Sequence, residues 1–376
     1  MRKYQFILVM LFVSTILYSQ YEVGHTTIIF NDPSRSRDIE TEIYYPANTA
    51  GEDVPIVNGN FPVLIFGHGF VMAYSSYDNF WNEFVPQGYI MLFPRTEGDI
   101  SPDHGEFGLD LAFLQQAMQD ENLNSGSIFY GAVAPQTAVM GHSMGGGSSF
   151  LAAEANPNFS AIVNFAAAET NPSAISAAGN IQIPALIFSG SEDCVASPID
   201  NQIPMYDSLA SNCKTYISII GGGHCYFANY NFNCTFGEST CLPVVPITRE
   251  EQHDVTFNFL SLWLDFTLKG NQTAFDQFND SLAASSRITY QQNCISTYSE
   301  LNNNSFIKLY PNPASGLINL DIPFENYEVT IYNVLGIKVY SGINARAVSL
   351  KNQPAGSYFI KIDSNNKSYI NRVIKK

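Results

Sequence analysis

The sequence predicts a doubly wound α/β domain followed by a small all-β sandwich domain, and three observations carry that prediction. Continuous apolar runs such as Pro62-Val63-Leu64-Ile65-Phe66 have the pattern of strands buried on both faces of a parallel sheet. Stretches with helical spacing separate these runs at the pitch of βαβ units. The balance of charge then reverses: residues 21–305 hold 7 Lys/Arg against 30 Asp/Glu, whereas residues 306–376 hold 9 against 4. A shift of that kind marks a domain boundary.

Residues 1–20 read as a signal peptide. Arg2 and Lys3 precede an apolar run from Phe6 to Leu17, broken only by Ser14 and Thr15, with Ser19-Gln20 near a cleavage point. The run is short for a membrane span and polar sequence follows it. No later stretch is apolar for long enough to cross a bilayer, so the expected product is exported and soluble, with no stable membrane span.

In the larger domain, residues 21–300, the edge strands are expected at 27–30 and 39–45. Buried strands follow at 62–66, 89–93, 137–140, 161–165 and 184–188, and a further strand at 215–220. Helices are expected at 77–84, 105–120, 145–155, near 202–211 and at about 249–268. The Asn-rich residues 301–305 form a linker. Within residues 306–376, short strands at 318–320, 328–332, 337–340 and 358–362 alternate with Gly, Asn and Ser turns, the pattern of a small sandwich.

The strongly acidic body would be repelled by a phosphate backbone, which argues against nucleic acid as a partner. Six cysteines, Cys194, Cys213, Cys225, Cys234, Cys241 and Cys294, in an exported chain point to disulfides. Cys234 and Cys241 are near enough in sequence to be the expected small-loop pair. Zinc is disfavoured because no C-x-x-C pair is present.

The stretch Gly141-His142-Ser143-Met144-Gly145 has the form G-x-S-x-G between a predicted strand and a predicted helix. That turn forces its central residue into strained backbone and lifts the Ser143 hydroxyl out of the sheet. It also leaves the Met144 N–H at a helix N-terminus, where it can meet a developing oxyanion. A serine nucleophile needs a base and a group to orient that base. Asp193 follows the strand at 184–188, and His224 follows the strand at 215–220 behind Gly221-Gly222-Gly223. They fall in the chain order nucleophile, acid, base, at strand ends where such sheets bind ligands.

Ser143, Asp193 and His224 are therefore the expected triad, with Glu192 the rival acid. The second oxyanion donor is expected in Gly67-His68-Gly69-Phe70, at the Phe70 N–H, with the Phe70 ring beside the acyl site. Tyr77, Trp81, Tyr226 and Phe227 are candidate aromatic lining, with core packing the simpler reading of Trp81. His142 is expected to point away or line the pocket rim, His68 to be structural, and His25, His104 and His253 to lie at the surface. No metal or organic cofactor is expected.

Residues 61–294 resemble the bacterial cutinases, polyester hydrolases that include enzymes acting on poly(ethylene terephthalate). The resemblance rests on Gly141-His142-Ser143-Met144-Gly145-Gly146-Gly147, on Ala153-Glu154 with Asn156-Pro157, and on Pro184-Ala185-Leu186-Ile187 leading to Asp193. Val195-Ala196 with Pro198, and His224 followed by Phe227-Ala228, extend it. It implies the α/β-hydrolase fold, the same triad, and Phe70 and Met144 as oxyanion donors. Ala168 stands where the family usually has a Trp, the Gly67–Phe70 loop is closer to chlorophyllase-like esterases, and the stretch 226–241 is longer than the family norm. The expected activity is serine carboxylester hydrolysis of polyester-type substrates through an acyl-enzyme. A small-ester or chlorophyllase-like esterase is the alternative within enzymes, and a non-catalytic surface binder the alternative outside them.

Residues 306–376 resemble the type A C-terminal sorting domain of the type IX secretion system, through Leu309-Tyr310-Pro311-Asn312-Pro313, Tyr332-Asn333-Val334-Leu335-Gly336 and Pro354-Ala355-Gly356-Ser357-Tyr358. That resemblance implies the type IX machinery as a partner and a secreted or cell-surface destination.

Overall fold

A computed structural model describes residues 21–294 and 307–376, apart from 240, 243, 325, 334–336 and 365–366. The expected signal peptide and linker, residues 1–20 and 301–305, lie outside the described residues. The chain divides into two compact units after Cys294.

The first unit is built on β1 (Glu22–Asp32), β2 (Arg37–Ala47), β3 (Gly51–Glu52), β4 (Phe61–Gly67), β5 (Ile90–Pro94), β6 (Val133–His142), β7 (Ala161–Phe165), β8 (Ala185–Gly190), β9 (Cys213–Ile219) and β10 (Ile288–Cys294). They form one sheet in the order β10-β9-β8-β7-β6-β4-β5-β2-β1-β3. The pairs from β5 through β4, β6, β7 and β8 to β9 are all parallel. β2 and β10 join antiparallel at either side. β2 is thus an inner strand rather than the edge strand expected, because β1 lies along its whole length.

The helices are α1 (Asp78–Phe84), α2 (His104–Leu123), α3 (Met144–Ala155), α4 (Ala174–Ala178), α5 (Gln202–Ser208), α6 (Phe232–Glu238), α7 (Arg249–Lys269) and α8 (Gln272–Ala284). Alternation along the strands sends successive side chains to opposite faces, and a separate core covers each face. Val63, Ile65, Val139 and Ile162 pack with Leu111, Leu114 and Phe150 of α2 and α3. Leu64, Phe66, Met140 and Val163 pack with Phe80, Phe84, Leu260 and Trp263 of α1 and α7. Each such side chain contributes roughly 1.5–3 kcal/mol by leaving water. The caps are conventional: Asp103 accepts from the Glu106 N–H at the start of α2, and Thr248 and Glu251 form a capping box on α7.

This topology is what positions the site. β4 leads to β5 on one side, and the chain then crosses back to lay β6 on the other side of β4. The loops leaving β4 and β6 therefore diverge and open a crevice at the carboxyl ends of the strands. Parallel pairing of β4, β6, β8 and β9 brings Gly67–Phe70, Ser143, Asp193 and His224 to that same edge.

The disulfides are Cys194–Cys241, Cys213–Cys294 and Cys225–Cys234. The expected Cys234–Cys241 pair is not formed. α6 begins two residues before Cys234 and ends three residues before Cys241. At about 1.5 Å of rise per helical residue, the helix alone separates Cys234 from Glu238 by about 6 Å, close to the roughly 7 Å limit of a disulfide, before the last three residues are counted. Cys234 instead faces back to Cys225, and Cys241 reaches the loop after Asp193.

The second unit holds a three-stranded sheet of β11 (Lys308–Tyr310), β12 (Leu317–Asp321) and β15 (Ala347–Ser349) and a four-stranded sheet of β13 (Glu328–Asn333), β14 (Lys338–Ile343), β16 (Gly356–Ser364) and β17 (Lys367–Lys375). Ile318, Val329, Ile331, Val348, Ile360 and Ile362 are buried together as its own core.

Candidate active site

Ser143 sits between β6 and α3 with φ 55° and ψ −120°. That is a strained conformation for a residue with a side chain, and its surroundings enforce it. The Ser143 N–H donates to the Phe165 carbonyl at 3.0 Å, and the Ser143 carbonyl accepts from Ala168 N at 2.9 Å. A Cβ on Gly145 would fall 2.2 Å from the Gly67 carbonyl oxygen, so the turn packs directly on the loop after β4.

His224 Nε2 lies 2.9 Å from Ser143 Oγ, and His224 Nδ1 lies 2.8 Å from Asp193 Oδ2. The other Asp193 oxygen accepts from Val195 N at 2.9 Å and Ala196 N at 2.8 Å. Three donors therefore hold a buried carboxylate in one orientation. With Nδ1 donating to Asp193, Nε2 is left bare toward the hydroxyl, the tautomer that accepts a proton. Glu192 does not take this place. Its carboxylate accepts from Ser191 Oγ, and its N–H donates to the Gly222 carbonyl.

The loop that carries His224 is held on both flanks. Gln252 of α7 grips Gly223 twice, Oε1 accepting from its N–H and Nε2 donating to its carbonyl, each at 2.9 Å. Glu238 of α6 accepts from Cys225 N at 3.2 Å. Arg249 donates to the Cys225 and Ala228 carbonyls and stacks on Tyr226. None of these three partners is signalled by a motif in the sequence.

Two backbone N–H groups lie at the same edge. Met144 is the first residue of α3, whose opening N–H groups have no intrahelical acceptor. The Phe70 N–H makes no hydrogen bond among the described residues. Its peptide unit is nonetheless fixed, because the Gly69 carbonyl of that unit accepts from Met72 N at 3.1 Å and faces His68 Nδ1 at 2.9 Å. In a trans peptide the N–H points opposite to the carbonyl, so anchoring one end aims the other.

The histidines and aromatics fall as follows. His68 is buried, with Nε2 facing the Thr96 carbonyl at 2.9 Å. Burial lowers its pKa against the pull of the two carbonyls it faces. His142 neither points away nor lines a rim. It is fully buried, with Nδ1 2.9 Å from Tyr77 Oη and Nε2 3.0 Å from the His224 carbonyl. Burial, with smaller effects from His224 and Arg249, pushes its pKa well below the ordinary imidazole range.

His25, His104 and His253 are half-buried rather than at the surface; His253 Nε2 accepts from Asn79, and His104 Nδ1 accepts from Asn171 N. Tyr77 and Phe227 are fully buried, and Trp81 stacks on Tyr44 with centroids 3.9 Å apart. These three support the core rather than line a pocket. The Phe70 ring is 51% exposed. Among the described residues no three His, Cys, Asp or Glu side chains converge as a metal ligand set, and no helix is long and apolar enough to cross a membrane.

Residues 34–240, more than half of the chain, match the family model described as PET hydrolase-like. Residues 308–376 match the secretion system C-terminal sorting domain. The chain is 29% identical to Chlorophyllase-1 of Arabidopsis thaliana over 38% of its own length and 43% of that protein. It is 27% identical to cutinase est2 and 26% identical to cutinase est1 of Thermobifida alba, over 52% of its own length and 59% and 60% of theirs. The chain thus spans about half the length of the curated relatives it matches. The sorting domain directs the chain through type IX secretion to the cell surface or beyond it.

Proposed function

The chain belongs to the PET hydrolase-like family, and on that premise we propose that it is an exported serine carboxylester hydrolase acting on polyester chains or similar bulky esters. The observation that carries the reading is the unbroken series from Ser143 Oγ through His224 to Asp193, at 2.9 and 2.8 Å, on a strained strand-to-helix turn.

In this reading His224 takes the hydroxyl proton as Ser143 attacks the ester carbonyl. Asp193 stabilises the imidazolium that forms, and the Phe70 and Met144 N–H groups hold the oxyanion. His224 then protonates the departing alcohol. A water molecule, activated by the same imidazole, attacks the acyl-enzyme and releases the acid. Removal of one oxyanion donor typically costs 10²–10³ in rate, so the fixed Gly69–Phe70 peptide is an essential part of the device.

The Gly67–Phe70 loop and the chlorophyllase relative favour a second reading, a small-ester or chlorophyllase-like esterase. Ala168 presents only a methyl group where the cutinase pattern has an aromatic wall. Product release from an amorphous poly(ethylene terephthalate) film, set against hydrolysis of a soluble p-nitrophenyl ester, separates the two. Hydrolysis of both, lost in Ser143→Ala, supports the polyester reading. Hydrolysis of the soluble ester alone supports the second. We also propose the chain's organisation as signal peptide, hydrolase domain, linker and sorting domain, with the type IX machinery as partner of the last.

A further inference from the structure

A buried chain of hydrogen bonds joins the loop after β4 to the loop after β9 and passes through the second residue of the G-x-S-x-G motif. The Gly69 N–H donates to Tyr77 Oη at 2.8 Å. Tyr77 Oη lies 2.9 Å from His142 Nδ1, and His142 Nε2 lies 3.0 Å from the carbonyl of His224. Tyr77 and His142 are fully buried.

The chemistry of the ends fixes the direction of the chain. A backbone carbonyl only accepts, so the hydrogen of a neutral His142 ring must sit on Nε2. Nδ1 is then an acceptor and takes the Tyr77 hydroxyl hydrogen, while the phenol oxygen takes the Gly69 N–H. Every donor and acceptor along the line is satisfied in this one arrangement, with Met72 Sδ, 3.3 Å from Tyr77 Oη, a weaker second acceptor for the same hydroxyl. The reverse tautomer would set the bare Nε2 lone pair against a carbonyl.

We propose that Tyr77 and His142 are positioning residues that hold the Phe70 oxyanion donor and the His224 base in register across Ser143. The proposal rests on the roles given above to Ser143, His224 and Phe70. Three observations support it beyond the bonds themselves. The chain enters the base at its own carbonyl and the oxyanion loop one residue before its donor. The groups converge so tightly on Gly69 that a Cβ there would lie 2.8 Å from Met72 Sδ, 3.1 Å from His142 Nδ1 and 3.2 Å from Tyr77 Oη. The His142 and His224 rings also lie with centroids 4.9 Å apart, so a shift of one ring is felt by the other. A misplacement of about 1 Å can cost on the order of 10²-fold in rate.

The test compares kcat and KM of the full chain on a soluble p-nitrophenyl ester for Tyr77→Phe, His142→Leu, their double variant and His142→Gln. Ser143→Ala and Tyr89→Phe serve as controls. Tyr89 is an equally buried phenol whose hydroxyl binds Asp265 at 2.9 Å, away from the site. The expected result is a kcat roughly 10- to 100-fold lower in Tyr77→Phe with KM little changed. The double variant should lose no more than His142→Leu alone, because both cut the same chain. His142→Gln keeps an amide donor toward the His224 carbonyl and should recover most of the loss, while Tyr89→Phe keeps its kcat. An unchanged kcat in Tyr77→Phe, losses that add in the double variant, or an equal loss in Tyr89→Phe would overturn the proposal. Persistent hydrolysis in Ser143→Ala would instead overturn the reading of the site on which it rests.

Discussion

Gly190 and Gly222 are in such close approach that a Cβ on Gly190 would lie 2.3 Å from the Gly222 carbonyl oxygen. Gly190 ends β8 three residues before Asp193, and Gly222 precedes His224 by two. The contact sets the separation of the proposed acid and base, and the Glu192 N–H bond to the same carbonyl, at 2.9 Å, closes it. Gly190→Ala must force the two loops apart. We expect kcat on a soluble ester to fall about 10- to 100-fold, with a lowered melting temperature, as steady-state kinetics and thermal unfolding of the variant can check.

Asp193→Asn should be costly, though less so than loss of the base itself. An amide can offer its NH₂ to His224 Nδ1 and so fix the tautomer that bears a hydrogen on Nε2, toward Ser143. A loss on the order of 10⁴-fold in kcat is expected, with the fold intact by circular dichroism. A loss of less than about tenfold would remove Asp193 from the proposed triad.

Stability should fall on mild acidification. His142 and His68 are both held neutral by burial in the folded state, whereas an unfolded histidine titrates near 6.5. Between the lowered folded values and about 6.5 the unfolded chain binds more protons, so stability rises with pH across that window. The limiting cost of one such group is about 1.4 kcal/mol per pH unit below 6.5; His142, lowered furthest, approaches it, and His68 contributes over a narrower window. Denaturant unfolding at pH 7.5 and 5.5 checks this, and His142→Gln should have the shallower dependence.

The ion pair between β2 and α2 should matter to folding more than to chemistry. Asp110 is fully buried in α2, and Arg37 binds it through Nε and Nη2 at 2.7 Å each. Arg37→Met leaves that carboxylate with Arg35 alone, at 2.8 Å. Destabilisation of about 2 kcal/mol is expected from the loss of its charge-assisted hydrogen bonds, with kcat per folded molecule little changed.

Much of the fold was legible because its strands are locally unambiguous. The run at 62–66 is apolar throughout and that at 161–165 is broken only by Asn164, and the structure buries all of Phe61–Gly67 and Ala161–Phe165. Ser143 and its neighbours were legible because a strained turn demands small residues at fixed offsets. α8 and β10 were not foreseen: β10 is largely exposed, and its residues lack an apolar run. The six cysteines do form disulfides, but Cys234 pairs with Cys225 rather than Cys241 because sequence distance ignores α6. Tyr77 was legible only as candidate lining and Gln252 not at all, since the backbone groups they bind lie 8 and 29 residues away, and such contacts leave no pattern in the chain.

The most direct test of the central claim is covalent. The full chain would be incubated with a fluorophosphonate, which reacts with an activated serine, and the adduct located by peptide mass spectrometry while p-nitrophenyl ester hydrolysis is followed. A single adduct is expected, on Ser143, with hydrolysis lost in proportion to labelling and labelling slowed by orders of magnitude in His224→Ala. An adduct on another residue, or hydrolysis that survives full modification of Ser143, would contradict it.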